Sequence, residues 1–156
     1  GASGCVTAAL VTRLIGGKTD VVMMLNGALA GLVSITAEPL APSPMLAIGI
    51  GSVGSIIMFF GSQLLNSLRL DDVVGAIPVH MFAGIWGTLV VPISNDEANF
   101  SIQIIGVASV VIFTFILSYI AFYVLNQLIG LRISNEAEKL GTDVVEIGVR
   151  AYAIRD

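Results

Sequence analysis

His80 is the only histidine among 156 residues, and it stands in a stretch, VVGAIPVHMFAGIWGTL (73–89), that carries no charged side chain. A neutral imidazole there can accept and donate hydrogen bonds to a small polar solute, and it can carry a proton. A metal site is not expected, because no second histidine is present, Cys5 is the only cysteine and the carboxylates fall in the connections or near the C-terminus. No cluster suits nucleophilic catalysis, so the chain does not read as an enzyme, and no cofactor is expected. The plainer alternative is that His80 hydrogen-bonds to a neighbouring helix and serves packing alone.

The composition sets the solvent that this histidine meets. Hydrophobic residues make up 56% and charged residues 12% of the chain, with a mean hydropathy of +0.95, against about 45–50% and about 25% in soluble domains. The sequence reads as an integral, multi-pass membrane protein. A net charge of -4 and a pI near 4.7 leave no basic patch for a nucleic-acid partner. With one cysteine no disulfide can close within the chain.

Charge-free runs cover residues 1–12, 21–37, 39–68, 73–95 and 98–131. A bilayer core of about 30 Å takes roughly 20 helical residues to cross. Trimmed at Pro39, Pro42 and Pro44 and at Ser101, the runs predict spans at about 21–37, 45–66, 73–93 and 101–128. The first run is too short to cross, and no basic segment precedes it as in a signal peptide. Residues 1–16 therefore read as the second half of a helix, and the chain as part of something larger. Residues 1–130 make the transmembrane bundle and 131–156 a polar tail.

Basic residues orient the bundle, because cytoplasmic loops carry an excess of them. Arg13 and Lys18 lie in the first connection, Arg69 in the third, and Arg132, Lys139, Arg150 and Arg155 in the tail. The remaining connections hold only acids, Glu38 in one and Asp96 and Glu97 in the other. The tail is predicted to be cytoplasmic, with loops 38–44 and 94–100 outside.

Lipid tails give helices no hydrophobic reason to associate, so small residues must let backbones approach. Gly27, Ala30, Gly31 and Ser34 share one face at i, i+3, i+4 and i+7, and Ala47, Gly51, Gly54 and Ser55 do so in the next span. The last span, rich in Val, Ile, Phe and Leu, suits a lipid-facing position. His80 lies seven residues beyond Val73, about 10 Å along a helix and so near mid-membrane. Its helical neighbours Ala76, Ala83, Gly84 and Gly87 are small, so one histidine face is expected to be stripped of bulk. Pro78 lacks a backbone donor and crowds the Val74 carbonyl, which predicts a bend or a free carbonyl beside the ring. An ionisable group at such depth usually faces a protein interior or cavity.

Three segments, DDVVGAIPVHMFAGIWGTL (71–89), NGALAGLVSITA (26–37) and the tail GLRIS with GTDVVEIGVRAY, together resemble the C-terminal part of the Amt/Mep/Rh ammonium transporters. The resemblance implies an all-α polytopic membrane helix bundle, the second half of an eleven-helix fold with inverted repeats. The chain would supply the end of helix seven, helices eight to eleven and the cytoplasmic tail. It implies homotrimers in the plasma (inner) membrane, each protomer carrying a hydrophobic pore. Recruited ammonium would be deprotonated and passed as ammonia along two histidines, of which His80 matches the second. Ala76 and Leu29 match pore-lining positions. An ion in hydrocarbon costs far more than a neutral molecule of its size, which suits such a path.

The first-half elements of that pore, including the other histidine, are absent from these residues. Glu38 reads as a loop charge that could attract cations, Trp86 as packing, and Asp71 and Asp72 as favourable to the dipole at a helix start. Asn99-Phe100-Ser101 has the form of a glycosylation acceptor. By the same resemblance, the tail would bridge protomers and take part in gating, with a PII-type signalling protein docking on the cytoplasmic face. It keeps Gly141, Asp143, Gly148, Ala151 and Tyr152, but has Ile147, Gly148 and Val149 where a His-Gly-Glu-like run is usual. Val145 occupies the position of a threonine phosphorylated in plant members. An ammonium sensor or receptor coupled to a signalling module is the alternative function, and a non-conducting structural bundle a further one.

Overall fold

A computed structural model describes residues 1–151. The chain divides into two compact units, Gly1–Ser109 and Val110–Asp156. Every regular element among the described residues is helical.

In the first unit α1 (Ala2–Gly16), α2 (Val21–Ile35) and α3 (Pro44–Ser67) pack against one another. A π-helical turn, Ile77–Phe82, then runs directly into α4 (Ala83–Leu89), and both pack on α2 and α3. A short α5 (Val91–Ser94) follows, with Pro92 in its first turn. The ends are set by local chemistry. Gly17 adopts a left-handed φ of 73° and returns its N–H to the Arg13 carbonyl, which closes α1. The carboxylate of Asp20 accepts from the Met23 N–H at 3.0 Å to open α2, and the Ser43 hydroxyl does the same for Leu46, with Pro44 next to it, to open α3.

The buried positions of α2 are Gly27, Ala30, Gly31 and Ser34, the face expected from the spacing of small residues. On α3, Gly51, Gly54 and Ser55 are buried and Ala47 is half-buried. The approach is so close that a Cβ on Gly27 would stand 2.7 Å from the Gly4 carbonyl oxygen of α1 and 2.8 Å from the Ser55 hydroxyl of α3. The Ser55 hydroxyl in turn donates to the Gly4 carbonyl at 2.7 Å. A core of Ala30, Met58, Val79 and Ala83 joins α2, α3 and the histidine segment.

Among the described residues two helices, Pro44–Ser67 and Phe100–Leu128, are long and apolar enough to cross a membrane, while Val21–Ile35 and Ile77–Leu89 are shorter than the predicted spans 21–37 and 73–93. The latter begins four residues late because Val73 and Val74 form a turn. His80 therefore sits in the first turn of its helix, so the depth inferred by counting a continuous helix from Val73 does not apply.

α6 (Phe100–Leu128) passes from the first unit into the second, and none of its residues is buried. Its 29 residues extend about 43 Å at 1.5 Å per residue. Within the second unit Phe115, Tyr119 and Tyr123 stack at i, i+4 and i+8, with ring centroids 6.4 and 6.5 Å apart. A short α7 (Asn135–Leu140), capped by Ser134, precedes a π-helical turn at Asp143–Ile147.

Candidate conduction site

The segment that carries His80 is fixed by backbone bonds at its start. Both carboxylate oxygens of Asp72 accept N–H groups at 2.8 Å, one from Ala76 and one from Ile77. They satisfy donors that a helix leaves free in its first turn and place negative charge at the positive end of its dipole. Gly75 turns the chain with φ 77°, a conformation that side chains rarely adopt.

Pro78 has no N–H to offer the Val74 carbonyl, and that carbonyl is instead taken by α2, where the Asn26 carboxamide donates to it at 3.1 Å. The free carbonyl expected beside Pro78 is thus present and occupied. Pro78 and Val79 are buried, and the wider π-helical winding spans Ile77–Phe82. Such windings are uncommon and concentrate at functional positions.

Beside the buried Pro78 and Val79, His80 is exposed, and among the described residues no hydrogen bond ties its ring. Ala76, four residues earlier, is also exposed, and Leu29 on α2 is 47% exposed. His80 and Ala76 share one turn, and Leu29 stands on the helix against which that turn packs. No cavity among those described encloses the three.

The small residues beyond His80 serve another purpose than clearing its ring. Ala83 and Gly87 are buried. A Cβ on Gly87 would lie 2.5 Å from the Ser34 carbonyl oxygen, and the Ser34 hydroxyl donates to the Ala30 carbonyl at 2.7 Å and to the Ala83 carbonyl at 3.3 Å. Ala83 and Gly87 are therefore the seam with α2, and the reading of all four small neighbours as one histidine face is corrected. Trp86 has the packing role expected of it, its indole N–H donating to the Ile50 carbonyl of α3 at 3.0 Å.

Glu38 is half-buried, accepts from the Asn95 carboxamide at 3.0 Å and lines a crevice with Ser34, Gly87, Val91 and Ser94 that is too narrow for water. This bond joins the two loops whose lack of basic residues placed them on one side. Asn99 accepts from the Ser101 N–H at 2.9 Å and so caps the start of α6. No group of metal-ligating side chains occurs among the described residues.

In the second unit the tail residues Gly141, Asp143 and Gly148 fall in one loop. Asp143 accepts from the Ala151 N–H at 2.8 Å, and this bond is the main cause that holds its carboxyl below the usual value. Gly141 and Gly148 have φ of 95° and 76°. Tyr152 lies outside the described residues.

Sequence reasoning missed the Asn26 tether. Its signal was available in the pairing of a proline-freed carbonyl with a carboxamide inside an otherwise apolar span, but nothing in the pattern aligned position 26 with position 74.

The family model of the Ammonium Transporter Family matches residues 1–152. An ammonium transporter of Archaeoglobus fulgidus is 37% identical over 97% of this chain and 36% of its own length. A putative ammonium transporter of Synechocystis is 43% identical over 84% of this chain and 30% of its own. A solved sensor Amt protein superposes with a TM-score of 0.84 at 30% identity, over 93% of this chain and 39% of that one. The chain thus spans about a third of the length of the curated relatives it matches. Matched along nearly its whole length and sharing their helical fold, the chain belongs to the ammonium transporter family.

Proposed function

We propose that this chain supplies the second-histidine half of a path that carries ammonium nitrogen across a membrane, one path in each protomer of a homotrimer. The observation that carries the reading is the exposure of His80 on a π-helical turn whose Pro78 and Val79 are buried in the bundle. An imidazole held in that way, with no partner among the described residues, keeps both ring nitrogens for a solute. Ammonium is recruited outside, loses a proton, and passes as ammonia along the first histidine of the pair, contributed by the rest of the pore, and His80. Ala76 and Leu29 line the path with apolar side chains, which offer a hydrated alkali ion no compensation for its lost water.

The protein spans the membrane several times, with the basic connections and the tail in the cytoplasm of a plasma (inner) membrane. The bond between Glu38 and Asn95 supports one shared outer side. The tail loop around Gly141, Asp143 and Gly148, together with Tyr152, regulates conduction and offers a surface to a PII-type protein. A sensor coupled to a signalling module is the second reading; the likeness to a sensor Amt protein supports a sensor role, and the likeness to ammonium transporters supports transport.

Flux of ammonium and methylammonium, together with current, in liposomes holding the intact protein tests the proposal. The expected result is flux in the wild type that His80→Ala abolishes or changes in kind. Ammonium binding without flux in the wild type would favour the sensor. Equal flux with and without the imidazole would remove His80 from the path.

A further inference from the structure

Of the bonds that link the histidine segment to the rest of the bundle, the one from Asn26 joins the two elements that carry all three proposed path residues. Leu29 lies three residues after Asn26 on α2, and Ala76 and His80 lie two and six residues after Val74. We infer that Asn26 is a positioning residue, its carboxamide fixing the spacing and rotation of the His80 turn against the Leu29 wall. This inference rests on the transport reading.

Three features make the bond specific. The Val74 carbonyl faces a proline four residues later, so the usual helical donor is missing. Asn26 is the one carboxamide of α2, in an otherwise apolar stretch, residues 21–31, of that helix. Gly75, beside the accepting carbonyl, brings the chain close to the Asn26 carboxamide: a Cβ there would stand 2.7 Å from its nitrogen, and φ 77° disfavours a side chain. The bond at Val74 and the Asp72 carboxylate act on consecutive parts of the same entry. Asp72 fixes the first turn along its own axis, whereas the Asn26 carboxamide hydrogen-bonds that entry to α2, on which Val79 also packs. The π-helical turn runs directly into α4, whose seam with α2 holds its far end. The rotation of its near end, where Ala76 and His80 stand, follows where the entry is tied.

The test uses Asn26→Asp, which keeps the shape and removes the donor, and Asn26→Ala, in the intact protein. Ammonium flux, the methylammonium-to-ammonium flux ratio, thermal stability and the 15N signals of the His80 ring are measured together, with His80→Gln to assign the signals. Both variants are expected to move the ring signals and alter the flux ratio while the assembled protein keeps its melting temperature. Ammonium flux should fall by roughly tenfold to a hundredfold, the scale on which a small misplacement of a working group acts. Unchanged ring signals and ratio would overturn the inference, and so would a loss of flux that follows lost stability alone. If the wild type conducts no ammonium, the transport reading fails separately, and the ring signals still decide whether Asn26 positions His80.

Discussion

Ser34 on α2 reaches Ala83 on the histidine segment by a hydroxyl that donates across the seam at 3.3 Å while it also donates to its own helix at 2.7 Å. The same seam leaves no space at Gly87, where a Cβ would meet three backbone atoms of Ser34 at 2.5, 2.8 and 2.9 Å. Backbone cannot move aside as a side-chain tip can. Gly87→Ala is therefore expected to destabilise the intact protein by about 1–3 kcal/mol through overpacking. Ser34→Ala, which loses only a hydroxyl, is expected to cost about 1 kcal/mol. Equilibrium unfolding in detergent with rising SDS measures both, and the larger effect must belong to the glycine.

Trp86 separates packing from conduction. Its indole N–H ends on the Ile50 carbonyl of α3, and the buried Ala83 and Gly87 on either side of it face α2. Trp86→Phe keeps an aromatic ring and removes the donor, an expected loss of about 1 kcal/mol in the same unfolding assay. Ammonium flux per folded protomer should stay at the wild-type level. A changed ratio of methylammonium to ammonium would show that the ring meets the solute.

Much of this arrangement was legible from residue spacing, and the part that was not has a definite cause. The i, i+3, i+4, i+7 rule singles out Gly27, Ala30, Gly31 and Ser34 because all four face the packed interior, and at Gly27 the neighbouring helices leave no space for a Cβ. The same rule misread the surroundings of His80. Around that residue the winding is π rather than α, and small residues on both sides of the helix look alike in one dimension. Counting from Val73 failed for a related reason. Apolarity runs without interruption from Val73, but the helix begins only where Asp72 and Gly75 allow it. The proline showed that a carbonyl would be free, and only the packing of α2 could show that Asn26 would take it.

Asp143 gives the tail a pH dependence whose direction follows from its bonds. The N–H of Ala151 contributes most to holding its carboxyl below the usual 3.8, with smaller help from the Val144 and Asp143 N–H groups and from the Arg150 charge, against an opposing effect of desolvation. A carboxyl with a lowered pKa in the folded loop favours that loop in its ionised form. The contribution is complete above 3.8 and is lost as pH falls below that value through the lower folded pKa. The Ala151 amide signal should accordingly stay constant at neutral pH and move only in that acid range, and Asp143→Asn should remove the transition. Gly141 offers an independent check at neutral pH. At φ 95° and ψ 131° a Cβ would stand 2.5 Å from an Asp143 carboxylate oxygen, so Gly141→Ala should open the loop at a cost of about 1–3 kcal/mol from backbone strain. Amide exchange at Ala151 that stays slow in this variant would show that the loop is held by something other than the Asp143 carboxylate.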